Sequence, residues 1–413
     1  MKKKLAFSLL FAGSFILSGC FGVSNNINNK HHDLRINDLN GGGVRTYSVL
    51  KTMTLGETVR KRGCEIEYFY DESGVHYAVD APCTSVPSDV VLKPYYKIME
   101  ESFTWINSND SKISMDAKLR VMTYNVLSDD WNNKPQMHGY DEHNEKYPEG
   151  VDDGRDDQNM RTILNYMPDV IGVQEFDDQW YSAMKNYYIN GDFPYRVVNQ
   201  AETKYTLNGS KKTIYTTLMY NDDRVTLKDW KHTRFKTADT NENCRSYTYG
   251  VFAMNDTDEE FVVVSSHWNH LDSSKEDTPR REEEQARETA EVYKTLESEF
   301  GCPVIAVGDM NQLDSHPSIK TLVDESGFKD AKYTARNRGL CCDTYHIGNG
   351  DEEEPGKWYR GIESVLPALI NTDEARDHIY LSDDVESIYY NTVSTVDALN
   401  SSDHMPVYVD VAF

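Results

Sequence analysis

The chain is poor in positive charge. Its 43 Lys and Arg residues face 68 Asp and Glu, a formal charge of −25 over 413 residues. That excludes a protein that coats nucleic acid through a basic face. It does not exclude an enzyme that meets a phosphate at one metal-centred point. Long apolar runs are missing beyond the N-terminus, so a bundle of membrane-spanning helices is excluded. No Cys-x-x-Cys spacing suggests zinc, and neither G-x-x-x-x-G-K-[ST] nor G-x-G-x-x-G offers a nucleotide cradle. No internal repeat stands out. A core is not missing: hydrophobic residues make up 38% and aromatics 11%, too much for wholesale disorder. The length suits one large domain or two ordinary ones.

The single apolar run has an address-like form. Lys2, Lys3 and Lys4 precede Leu5 to Leu17, thirteen mostly apolar residues, too short to span a bilayer comfortably. Leu17-Ser18-Gly19-Cys20 follows and resembles the lipobox of bacterial lipoproteins. In that family the cysteine is lipidated and becomes the first residue after cleavage. Residues 1–19 are therefore expected to be a cleaved signal peptide. Cys20 would carry the lipid, and the protein would be exported and anchored to a membrane of the cell envelope. Losing three lysines and no acid would take the charge from −25 to −28. Seven cysteines less Cys20 leave six, an even number that suggests disulfides in an oxidising compartment. Cys64 and Cys83, which bracket a hairpin-like stretch, are the expected pair. Cys244, Cys302, Cys341 and Cys342 allow three pairings between them.

Residues 20–44, rich in Asn and ending in Gly41-Gly42-Gly43, read as a flexible tether with His31 and His32 as a solvated pair. Residues 45–117 read as a small β-rich accessory module. Within it Cys64 to Tyr70 alternates, Asp71 to Gly74 turns, and Val75 to Val79 alternates again, a hairpin signature. From residue 118 short apolar strands alternate with amphipathic helices, which indicates a layered α/β domain over 118–413. Strands are expected at 119–126, 169–175, 215–220, 261–267, 303–307, 377–381 and 406–413. Helices are expected at 159–167, stopped by Pro168, and at 282–300, closed by Gly301.

Position makes the polar residues informative. The strands run into Asn125, Glu175, His267, and Asp309 with Asn311; the last ones adjoin Asp377 and Ser402-Asp403-His404. Strand termini gathered at one edge of a layered sheet are a normal place for an active site. Each residue alone has a bland reading as a turn former or a satisfied core group. Their joint occurrence, in order and each beside an apolar run, sets them apart. Asn125, Glu175 and Asp403 offer hard oxygens suited to Mg²⁺ or Mn²⁺.

Thr123 to Val126, Val173-Gln-Glu175, Ser266-His267, Gly308 to Asn311, Arg376 to Ile379 and Ser402 to Val407 together resemble the signature blocks of the endonuclease/exonuclease/phosphatase superfamily. That resemblance implies the DNase I-like fold, a four-layer α-β-β-α sandwich of two packed mixed sheets between helices, here with a small β-rich N-terminal extension. It further implies Asn125 and Glu175 as the metal pair, joined by Asp403. His404 becomes the general base, with Asp377 holding its tautomer. His267 and Asn311 would stabilise the non-bridging oxygens, and Asp309 would position the nucleophile or protonate the leaving group. His270, Arg281 with its neighbour Arg280, and His346 are weaker substrate contacts. Arg161 is a possible buttress of Glu175, and residues 348–372 resemble an inserted lid or filter.

The implied reaction is Mg²⁺- or Mn²⁺-dependent hydrolysis of a phosphate ester by in-line water attack. The substrate would be nucleic acid or a small or lipid phosphoester. A phosphodiester ranks first. A phosphomonoester of a sugar, inositol or lipid ranks second, and a non-catalytic surface binding module on the same fold is a third reading.

Overall fold

The computed structural model describes residues 30–40, 43–61, 64–98, 113–128, 155–191, 193–198, 204–207, 210–238, 245–270, 276–345 and 370–413. The signal segment, Cys20, Cys244, His346 and nearly all of the 348–372 insertion lie outside these residues.

The N-terminal extension is one five-stranded sheet. Its strands are β1 (His31–Asn37), β2 (Val44–Leu50), β3 (Cys64–Asp71), β4 (His76–Ala78) and β5 (Val91–Ile98), in the order β2-β1-β5-β3-β4. The expected hairpin is there: Asp71 Oδ1 accepts from the Ser73 and Val75 amides, and Gly74 takes a positive φ of 77° in the turn. The expected tether is corrected, because β1 lies inside it and the module begins at His31 rather than 45. His31 and His32 are strand residues, with His32 Nε2 3.0 Å from the Val86 carbonyl oxygen. The signal was a short alternation: Leu34 and Ile36, two apart, bury into a core with Phe69, Val86 and Leu92. Asn- and Gly-rich flanks obscured it.

The main domain has two sheets. The first contains β6 (Leu119–Asn125), β7 (Val170–Asp177), β8 (Tyr195–Val197), β9 (Lys204–Leu207), β10 (Ser210–Asn221), β16 (Asn337–Arg338), β18 (Glu386–Thr392) and β19 (Val407–Ala412). Its order is β16-β18-β19-β6-β7-β10-β8, with β9 paired to β10. The second contains β11 (Val225–Arg234), β12 (Ser246–Met254), β13 (Glu260–His267), β14 (Val304–Asp309), β15 (Lys329–Asp330) and β17 (Asp377–Leu381), ordered β11-β12-β13-β14-β17-β15. Helices α1 (Arg155–Tyr166), α2 (Asp178–Asn190) and α6 (Val396–Ser401) go with the first sheet. Helices α3 (Thr278–Phe300) and α4 (Pro317–Ser326) go with the second, and α5 (Ala331–Thr334) follows β15.

Strand alternation explains the layering. Leu119, Val121, Val263, Ile305 and Val307 point between the sheets into one core with Phe252, Val407 and Val409. Their alternates face outward. Met122, Tyr124 and Ile171 meet Ile163 of α1 and Trp180 of α2, while Val262, Val264 and Ala306 meet Ala286, Tyr293 and Leu322 of α3 and α4. This is the four-layer α-β-β-α sandwich. The sheets approach closely at Gly172, where a Cβ would stand 2.3 Å from Val307 Cγ2. Helix α3 starts four residues before its expected start, with Pro279 in its first turn, and stops where expected at Gly301, φ 61°.

A buried ion pair ties β6 to β19. Arg120 Nε and Nη2 donate to Asp410 at 2.6 and 2.9 Å, and Nη1 donates to the Tyr166 carbonyl at 2.7 Å. Removing the guanidinium leaves a buried carboxylate uncompensated. Arg120→Met should therefore lower stability by about 3–5 kcal/mol, measured by urea unfolding.

The module docks on the main domain through a second buried cation. Lys61 Nζ donates to the carbonyls of Leu39, Cys341 and Ile370 at 2.7, 2.8 and 2.6 Å, using all three of its protons. Tyr96 exchanges two hydrogen bonds with Asn371, and Leu39, Tyr96, Leu340, Ile370 and Met405 close the interface. Lys61→Met should cost roughly 3 kcal/mol, read as a lower melting temperature, because three buried carbonyls lose their donor. The expected Cys64–Cys83 disulfide is corrected. Among the described residues both are free thiols, as are Cys302, Cys341 and Cys342. Cys64 packs at this interface while Cys83 sits in the module's own core.

Candidate active site

Strand register builds the site. His267 of β13 pairs with Asp309 of β14, and Asp309 pairs with Asp377 of β17, so three functional side chains form one row across the second sheet. Gly308 makes the row possible, since a Cβ there would lie 2.1 Å from the Ser266 carbonyl oxygen. Across the gap, the first sheet supplies Asn125 at the end of β6 and Glu175 on β7. Glu175 adopts φ 56° in a bulge of β7, where Gln174 and Glu175 together oppose one residue of β10. A bulge with a left-handed non-glycine residue is a strained way to re-aim a side chain, here toward Asn125, 3.4 Å away. Ser402 closes the ring by donating to the Asn125 carbonyl at 2.5 Å and accepting from the His404 amide at 3.1 Å.

Asp309 Oδ2 is the hub. Asn125 Nδ2 donates to it at 3.0 Å, His267 Nε2 lies at 3.3 Å and His404 Nε2 at 3.8 Å. Oδ1 accepts the Asn311 amide at 2.8 Å, while Asn311 Nδ2 donates to the Trp268 carbonyl. His404 Nδ1 is 2.8 Å from Asp377 Oδ2. Ligand atoms of Asp309, Asp377 and His404 all fall within 4.8 Å of one another.

The electrostatics follow from burial against neighbours. Burial opposes a charge on Asp309, yet His404 and His267 outweigh it and hold the carboxyl well below its ordinary value. Burial also opposes a charged His404, but Asp377 and Asp309 raise its pKa well above that of a free imidazole. That is the direction of a group built to receive a proton. His267 moves the other way, lowered by burial and by the adjacent Arg245. Burial, with Glu175 and Asp309 nearby, raises Asp403 to about 6 against the pull of His404.

The structure thus brings together Asn125, Glu175, His267, Asp309, Asn311, Asp377, Asp403 and His404. The weaker candidates fare differently. His270 is exposed beyond the end of β13. Arg280 pairs with Glu284 along α3, and the Arg281 amide closes that helix's first turn. Arg161 does not reach Glu175; it pairs with Asp397. The arginine of α1 that supports the site is Arg155, bonded to the carbonyls of Val126, Leu127 and Ser401.

Two neighbours carried no signal of their own. The Tyr345 ring stands edge-on to His404, 5.2 Å between centroids, with the Arg376 guanidinium 5.1 Å from its centre. Arg245 Nη1 lies against His267 Nε2. It precedes β12 by one residue, and only the pairing of Tyr247 with Ser266 carries it to His267. Beneath the row, Asp314, Asp330 and His378 also gather ligand atoms within 4.8 Å. There Lys332 Nζ stands 2.6 Å from Asp314 Oδ1, so that cluster holds its own cation.

Two sheets packed between helices, with a histidine–aspartate pair and carboxylates at one shared edge, define the layered phosphate-ester hydrolase class. The chain belongs to the Endonuclease/Exonuclease/phosphatase family, whose sequence model matches residues 122–404. Among solved structures it is similar to an endonuclease/exonuclease/phosphatase from Bacteroides vulgatus: 18% identity, TM-score 0.52, covering 71% of this chain and 98% of that one. It is also similar to the Bacteroides thetaiotaomicron mannosyl-6-phosphatase Bt3783: 18% identity, TM-score 0.50, 71% and 100% covered. The human Nocturnin catalytic domain aligns at 16% identity and TM-score 0.47, covering 74% and 97%. Comparison with curated protein sequences finds no match.

Proposed function

We propose that the protein hydrolyses phosphate esters with a divalent cation and a His404–Asp377 base. The observation that carries this reading is Asp309 Oδ2, which stands between Asn125, His267 and His404 in one buried cluster. Asn125, Glu175 and Asp309, with Asp403 beside them, fit Mg²⁺ or Mn²⁺. They are hard oxygen donors, and the buried Asp403 Oδ1 has no protein partner while its carboxyl is crowded by two others. A bound cation would polarise the phosphoryl group and stabilise the leaving oxygen.

The protein's own groups do the rest. His404 takes the proton of the attacking water at Nε2, and Asp377 holds the proton at Nδ1 and stabilises the imidazolium. His267 and Asn311 donate N–H groups to phosphoryl oxygens as charge builds on them. Asp309 orients His267 and Asn125. Tyr345, standing edge-on to His404, walls one side of the cleft. The test is a screen of DNA, RNA, lipid phosphodiesters and sugar phosphates with Mg²⁺ or Mn²⁺. Turnover of at least one class, abolished by His404→Ala, supports the reading. A wild-type chain inert on every ester, yet binding a surface ligand, would leave the non-catalytic module instead.

We further propose export and anchoring to the cell envelope through Cys20, on the strength of the Lys2–Lys4, Leu5–Leu17 and Cys20 pattern. Labelling with tritiated palmitate in a bacterial host should mark the wild type and not Cys20→Ala.

A further inference from the structure

We infer that the N-terminal module belongs to the framework of the active site: through Lys61 and a strap of residues 340–345 it holds Asp377 and His404 together, which makes Lys61 and Thr344 positioning residues. The inference rests on the His404–Asp377 reading of the site. It adds a task for the module, which lies outside the family match over residues 122–404.

Asp377 opens β17 of the second sheet, while His404 precedes β19 of the first. Thr344 bonds to both segments. Its Oγ1 accepts the amides of Arg376 and Asp377, each at 3.2 Å, and its carbonyl accepts the Met405 amide at 2.8 Å. The next residue, Tyr345, forms an isolated antiparallel bridge with His404. Thr344 is fully buried, so removing its hydroxyl strips two amides of an acceptor that water does not replace. The 2.8 Å contact of His404 Nδ1 with Asp377 Oδ2 needs these segments to keep their places. A shift of about 1 Å in such a pair costs roughly 10²-fold in rate.

The module grips the same segments from behind. Lys61 Nζ donates to the carbonyls of Leu39 in the module, Cys341 in the strap, and Ile370 on the approach to Asp377. Asn371, next to Ile370, bonds to both the amide and the carbonyl of Tyr96. Leu39 and Tyr96 pack with Leu340, Cys342 and Met405, the last of these adjoining His404. None of the three Lys61 acceptors is a carboxylate. An ammonium buried on carbonyls carries a desolvation penalty that an apolar side chain would not. What the ammonium supplies instead is geometry, since its three protons fix three chain segments to one point.

The test is steady-state kinetics with Mg²⁺, well below every variant's melting transition. The substrate is p-nitrophenyl phosphate, bis(p-nitrophenyl) phosphate or whichever ester of the screen above the wild type hydrolyses. Thr344→Val should lower kcat about 10²-fold with KM changed by less than about threefold, and Thr344→Ser, which keeps the hydroxyl, should stay within about threefold of wild type. Lys61→Met should lower kcat about tenfold at a similarly steady KM. The double variant should lose no more than Thr344→Val alone, because both act along one path. A folded Lys61→Met with wild-type kcat, a Thr344→Ser as poor as Thr344→Val, or losses that multiply in the double variant overturns the inference. If neither Lys61→Met nor Thr344→Val folds, Asn371→Ala decides: kcat should fall at least about threefold at unchanged KM, and a wild-type kcat overturns the inference. A wild type inert on every ester would instead sink the hydrolase reading on which this rests.

Discussion

His404→Ala is expected to lower kcat for phosphate-ester hydrolysis by about 10³–10⁴-fold, with KM changed by less than about threefold. In the proposed mechanism His404 is the base. Its Nδ1 is held at 2.8 Å by Asp377, and its Nε2 is the nitrogen left to face the cleft. Asp377→Asn should come close to the same loss while keeping the shape of the site. An amide beside Nδ1 no longer demands a proton there, and the ring can turn its other tautomer to the water. The pH profile separates this from simple disruption. Wild-type activity should rise with pH as His404 loses its proton, and that limb should vanish in His404→Ala. A variant that keeps the limb, or more than about a tenth of wild-type kcat, would remove His404 from the role.

Glu175→Gln is expected to abolish measurable turnover, as EDTA should in the wild type, and at the same time to stabilise the metal-free protein. Three carboxylates crowd this buried edge, and Asp403 is raised to about 6 mainly by burial and by Glu175 and Asp309. An acid whose folded pKa lies above its unfolded value binds protons more tightly when folded. Its contribution to stability is therefore lost as pH rises from about 4 towards 6. Neutralising Glu175 removes part of that repulsion, so function and stability oppose each other here. Mg²⁺ binding should do likewise. It should raise the melting temperature of the wild type, more at pH 7 than at pH 5, and should leave Glu175→Gln unmoved. Full activity in EDTA, or equal Mg²⁺ stabilisation of both proteins, would contradict the assignment of Glu175 to a cation.

Much of the domain is legible in the sequence because its central strands are short, uninterrupted apolar runs. Val262 to Val264 and Val304 to Val307 are continuous apolar runs because both faces of their sheet are covered, and such runs stand out in a sequence. The end of α3 was plain at Gly301, but its start lies four residues before the expected Glu282, and α4, set between Pro317 and Gly327, was not expected at all. β1 was missed because only Leu34 and Ile36 carry its alternation. Helix α2 was missed because Asp178 to Asn190 mixes aromatic and polar residues without a sharp apolar face.

The primary sequence by itself determined the fold class, the family, and which side chains end the central strands, because those properties depend on local periodicity and short motifs. Only the tertiary structure decided which of these residues share a cavity and which arginines stand beside it. Arg161 and Arg280 looked suitable by position and pair elsewhere. Arg245, with no motif of its own, reaches His267 through the register of β12 on β13. Contacts between residues far apart in the chain depend on register and sheet packing, and those are properties of the whole fold rather than of any window within it.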